Sequence, residues 1–100
     1  MEHIYIVQRS YVKDGQFSYE HKPVTASDDY KTIVDYVNGL INYILEHGDE
    51  WLSEYQPEEL VAWYGYNYYA VGSEDQKTRI IFRIQEVPKL LTLKVMKNAG

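Results

Sequence analysis

The stretch SDDYKTIVDYVNGLINYILEH, Ser27 to His47, decides how the rest of the chain can fold. Tyr30, Ile33, Val34, Val37, Leu40, Ile41 and Ile44 recur at i, i+3, i+4 and i+7, the spacing that gathers apolar side chains on one face of a helix. Asp28, Asp29, Lys31, Asp35, Asn38 and Asn42 fill the opposite face. Ser27, or Thr25 together with Asp28, offers an N-cap oxygen, and Asp28 and Asp29 sit where the helix dipole favours negative charge. Gly48 suits the position just past the C-terminus, with His47 in the last turn. Such a helix measures about 30 Å, enough to cross a small sheet. Gly39 is discordant, because a mid-helix glycine costs about 1 kcal/mol relative to alanine. The expectation is that the sheet backbone comes close there.

Upstream of the helix, His3 to Val12 alternates as a strand, with apolar residues on both faces near its start. Ile4 and Ile6 share one face with Gln8 and Ser10; Tyr5, Val7, Arg9 and Tyr11 share the other. Lys13-Asp14-Gly15-Gln16 is a hairpin turn, since Asp-Gly supplies positive φ. Phe17 to His21 returns as a second strand, and Pro23 ends it or marks an edge.

Downstream, Asp49 to Leu60 reads as a connector with helical turns, with Pro57 suited to a first turn. Val61 to Val71 is aromatic and β-branched and reads as one strand. Period two then puts Tyr64, Tyr66 and Tyr68 on one face, and Val61, Trp63, Tyr69 and Val71 on the other. Residues 72–76 turn the chain, Thr78 to Val87 is a strand, and Pro88 stops it. Leu90 to Met96 suits strand or helix, and Lys97 to Gly100 is a frayed end.

The order ββαββ implies an α+β domain spanning residues 1–100: a four- or five-stranded, mostly antiparallel sheet with one long helix on one face. The expected core is Ile4, Ile6, Ile33, Val34, Val37, Leu40, Ile41, Ile44, Trp63, Ile80, Phe82 and Ile84.

Composition narrows the function classes. The chain has no cysteine, which removes disulfides, thiolate nucleophiles and the common structural zinc sites, and argues for a reducing, cytoplasmic setting. No secretory signal and no membrane-length apolar run is visible. No nucleophile elbow or Gly-rich phosphate loop is present. His47 with Asp49 and Glu50 brings metal-ligand types together, but a histidine in the last helical turn is already accounted for by the dipole. The reading is therefore non-catalytic, with no cofactor and no metal.

Charge is unevenly distributed. The net charge is −5, yet no Lys or Arg occurs from Thr32 to Gln76. The carboxylates Asp35, Glu46, Asp49, Glu50, Glu54, Glu58, Glu59, Glu74 and Asp75 lie in that interval. Tyrosine is the compositional outlier, at 11 against 2 Phe. Tyr and Trp anchor interfaces, and carboxylates steer basic partners. The expected site is Glu46, Asp49, Glu50, Glu54, Glu58 and Glu59 with Tyr64, Tyr66 and Tyr68. It would bind a basic protein partner, as an inhibitor that mimics nucleic acid and occupies a basic groove. In size and charge, though in no motif, the chain is similar to small accessory proteins of phages and mobile elements, including anti-restriction and anti-CRISPR inhibitors. The runner-up is a homodimer joined through a tyrosine-rich sheet face. The third reading is a single-stranded nucleic-acid binder, with bases stacked on the tyrosines beside Arg79 and Arg83; the acidic surroundings oppose it.

Overall fold

The computed structural model describes residues 3–17 and 22–88. The elements are β1 (His3–Lys13), β2 (Gln16–Phe17), β3 (Lys22–Ser27), α1 (Tyr30–His47), β4 (Val61–Gly65), β5 (Tyr68–Gly72) and β6 (Arg79–Pro88), with short 3₁₀ turns at Glu50–Leu52 and Pro57–Glu59. The fold is α+β, as its sequence pattern implies. The expected strand through residues 18–21, the ambiguous 90–96 segment and the frayed 97–100 end lie outside the described residues.

All the strand pairings are antiparallel, and the sheet order is β2-β1-β6-β5-β4, with β3 also paired to β1. β1 is long enough to hold β2 at Val12–Lys13 and β3 at Tyr5–Arg9 along the same side. β6 takes its other side, from His3↔Pro88 to Val12↔Arg79. Among the described residues the sheet has six strands where four or five were expected, for two reasons. Lys22–Ser27 is an edge strand rather than a lead into the helix. The 61–71 segment is a hairpin rather than one strand, turning at Tyr66-Asn67.

α1 carries the chain from the β3 edge to the β4 edge. Four inter-strand steps at about 4.8 Å make that crossing about 19 Å, which 18 residues of helix cover with length to spare. Asp29 caps α1, its side chain accepting the Lys31 N–H at 3.2 Å, while Ser27 Oγ accepts the Asp29 N–H at 3.1 Å. Gly48, at φ 77°, ends it by donating its N–H to Ile44. The cap is thus two residues later than Ser27, because Ser27 is claimed by β3.

Ile33, Val37, Ile41 and Ile44 are the buried helical stripe. They meet Val7, Tyr69, Val71, Ile80, Phe82 and Ile84, with Leu52 and Leu60 closing the end of the core. Burying each such side chain fully stabilises the fold by about 1.5–3 kcal/mol. The helix therefore lies on the Tyr5–Val7 face of β1. Ile4 and Ile6 take the other face and are half-buried, and Trp63 joins them there, so none of the three belongs to the main core. Val34 and Leu40 form its half-buried margin. The open face has its own small cluster, Val12, Ala70 and Ile81, flanked by Trp63 and Tyr68.

Two polar links tie the helix and connector to the sheet. Tyr30 Oη donates to Asn67 Oδ1 at 2.5 Å, joining the start of α1 to the β4–β5 turn. Trp51 Nε1 donates to the Val12 carbonyl at 3.1 Å, joining the connector to β1.

Candidate functional site

The carboxylates of the connector are positioned by the two 3₁₀ turns that follow α1. Asp49 caps the first, accepting the Trp51 N–H at 2.9 Å. Glu59 reaches back to accept the Gln56 N–H at 3.3 Å across the second. Glu50 and Glu58 sit in those turns, exposed. Glu54 is exposed, with Lys13 Nζ at 3.8 Å. An exposed pair this long contributes little. Glu46 is exposed, with His47 Nε2 at 3.6 Å. Asp35 lies apart, hydrogen-bonded by Lys31 Nζ at 2.9 Å, and that carboxylate holds the Lys31 ammonium above its ordinary pKa.

Three shallow clefts around this connector share lining residues. One is lined by Arg9, Tyr11, Lys13, Asp49, Glu50 and Trp51. The next shares Asp49 and Glu50 and continues past Tyr43 and His47 to Tyr55. The last shares Tyr55 and ends at Glu59, Ser73, Glu74 and Asp75. Carboxylates from Asp49 to Asp75 thus line this group of clefts. Glu74 and Asp75 lie in the 72–76 turn and outside the site expected from the sequence. Their proximity to Glu59 arises only from the topology, which returns the β5–β6 loop to the end of the sheet where the connector sits.

That loop is stiff. The Ser73 hydroxyl donates to Asp75 Oδ1 at 2.6 Å and accepts the Thr78 N–H at 3.2 Å, and Asp75 Oδ1 also accepts the Lys77 N–H at 3.0 Å. These bonds, the Ser73 hydroxyl first, hold the Asp75 carboxyl below its ordinary pKa. Asp75 is therefore charged throughout the physiological range.

Two of the four side chains at the β1 end of this surface are cationic. Lys13 Nζ lies 5.6 Å from the Trp51 ring centroid and Arg9 Cζ lies 5.4 Å from that of Tyr11, while the Tyr11 and Trp51 rings are 4.8 Å apart. The acidic surface therefore has a mixed-charge, aromatic border.

The tyrosine stripe is not formed. The turn at Tyr66-Asn67, with Asn67 at φ 52°, sends the chain back before Tyr68. Tyr64 pairs with Tyr69 on the helix-side face, Tyr66 is at the turn tip and 88% exposed, and Tyr68 is on the opposite face beneath Arg83, 5.7 Å from ring centroid to guanidinium. The three rings form neither a stacking platform nor a common seam, and none of them lines the clefts around the connector carboxylates.

His47 stacks on Tyr43 at 4.6 Å. Among the described residues no three His, Cys, Asp or Glu side chains are grouped to hold a metal ion. Among the described residues no helix is long and apolar enough to cross a membrane. No protein family, curated protein or solved structure matches the chain.

Proposed function

We propose that the protein is a non-catalytic, acidic interaction module that docks on the basic groove of a nucleic-acid-handling protein and competes there with nucleic acid. The observation that carries this reading is the placement of Asp49, Glu50, Glu59, Glu74 and Asp75 in neighbouring clefts that share lining residues, with Glu54 and Glu58 in the turns between. Spaced carboxylates on short, capped turns present fixed negative charge, as a phosphate backbone does, and a basic groove is attracted to both. The tyrosines drop out of the binding surface as a group. Tyr55, half-buried between two of the clefts, and Trp51 take the place of aromatic anchors.

The capping roles dictate the test. Asp49 and Glu59 support their own turns, so reversing them would confuse folding with binding. Glu50, Glu54, Glu58 and Glu74 carry no cap. The chain with Glu50→Lys, Glu54→Lys, Glu58→Lys and Glu74→Lys should keep its circular dichroism spectrum. It should lose capture of a nucleic-acid-binding protein from cell lysate, and added duplex DNA should displace that protein from the unmodified chain. Capture indifferent both to the four reversals and to DNA would refute the reading.

A further inference from the structure

The two edges of the sheet are built differently. On one side, β2 is two residues long, and β3 carries Lys22 and Pro23 and has a register shift opposite Val7/Gln8. Short strands, lysine, proline and bulges are the usual means of preventing an edge from pairing with another chain. On the other side, β4 reads Val-Ala-Trp-Tyr-Gly, with no charge and no proline, and its register with β5 runs without a shift. Among the described residues β5 is its strand neighbour on one side, and its other side is open.

The ladder determines which backbone groups that open side presents. The Ile84 N–H donates to the Asn67 carbonyl at 2.9 Å, which makes Tyr68↔Arg83 a pair without direct bonds. Alternation then turns Tyr69 and Val71 toward β6, and Tyr68, Ala70 and Gly72 toward β4. Their partners Gly65, Trp63 and Val61 are occupied by that ladder. The N–H and C=O groups of Ala62 and Tyr64 point outward.

We propose that β4 is a self-pairing edge, joined antiparallel to β4 of a second copy of this chain about a twofold axis at Trp63. In this register Ala62 of each copy faces Tyr64 of the other, and every outward group of β4 is used, in four ladder bonds. A shift of two residues in either direction sets an outward group against Leu60, whose N–H is already given to Pro57, or against the Tyr66 turn. Trp63 meets its own copy across the axis as a non-bonded antiparallel pair, with Cα atoms about 4.5 Å apart. The antiparallel arrangement also manages the net charge. Glu59 lies four residues from the axis, so the two acidic turns are separated by about 26 Å, well beyond the Debye length of about 8 Å at physiological salt. Parallel pairing would set them side by side. This association is independent of the acidic docking surface and stands or falls separately from it.

The test uses the full chain. Sedimentation equilibrium from 1 µM to 1 mM should show mass rising from 11.8 kDa toward twice that value. Amide exchange of Ala62 and Tyr64 should slow in step with the mass, while the Trp63 amide stays protected at all concentrations. Tyr64→Pro removes an outward N–H without touching the β4–β5 ladder, where an edge proline is tolerated. By symmetry it deletes two ladder bonds and should weaken the dimer by about thirtyfold. Tyr64→Lys, which keeps the N–H and adds a charge at a 58%-exposed position, should weaken it too and serves if the proline variant unfolds. A monomer at 1 mM, or a dimer indifferent to the foldable variants, overturns the proposal. So does protection of Ala62 and Tyr64 that appears only with an extended segment of a different protein.

Discussion

A Cβ placed on Gly39 would meet nothing within 4 Å, although the residue lies in the middle of α1. The expected close approach of the sheet does not occur, because position 39 is on the exposed side of the helix. Only the entropic cost of a helical glycine remains, so Gly39→Ala should stabilise the fold by about 1 kcal/mol, seen as a rise of about 4–8 °C in the thermal midpoint. Gly72 is the opposite case. A Cβ there would stand 2.2 Å from the Thr78 carbonyl oxygen and 2.5 Å from Arg79 Cβ. These atoms belong to the paired segment 78–79 and are held by its backbone, which leaves a side chain no room to relax. Gly72→Ala should cost about 3 kcal/mol, at the upper end for overpacking, and lower the urea midpoint accordingly. In sequence the two glycines look alike, because neither crowding nor exposure is written locally.

At the scale of elements, the β5–β6 loop couples folding to pH. The Asp75 carboxyl is held below its ordinary value by the Ser73 hydroxyl and then the Lys77 N–H, so the folded state binds its proton less readily than the unfolded chain does. Its contribution is full above the ordinary carboxylate pKa and is lost as pH falls through the depressed folded value. The urea midpoint of Asp75→Asn should therefore fall less steeply than that of the parent as pH is lowered from 5 to 2; parallel curves would remove Asp75 from the linkage. The elements differ in how far the sequence announces them. α1 is legible because four buried residues at 33, 37, 41 and 44 repeat one helical period. The Asp14-Gly15 turn is legible because both residues need positive φ, and both have it, at 52° and 79°. The β4–β5 hairpin is not, since aromatic residues run through its turn and Asn67 alone marks the reversal. β3 is hidden for a related reason: Pro23 breaks an interior strand but is tolerated on an edge.

For the whole molecule, the gap in Lys and Arg marks the connector carboxylates and Glu74 and Asp75 alike, because all of them lie between Thr32 and Gln76. What the sequence leaves unwritten is that Glu74 and Asp75 stand beside Glu59, because the meander β4-β5-β6 brings them there only on folding. Their convergence has an energetic consequence. Like charges gathered at one end of a small domain repel, and charge placed for binding lowers stability. Glu50, Glu58 and Glu74 are exposed and cap nothing, so neutralising them removes repulsion without removing a bond. The chain with Glu50→Gln, Glu58→Gln and Glu74→Gln should melt higher than the parent at 10 mM salt. The difference should close at 500 mM, where screening shortens the range of the repulsion to a few ångströms. A lower melting point for the triple variant would mean that these carboxylates support the fold, and the acidic end would then be structural instead of a docking surface. A gap that persisted at high salt would point to lost local contacts rather than to a shared field, because only the field is screened.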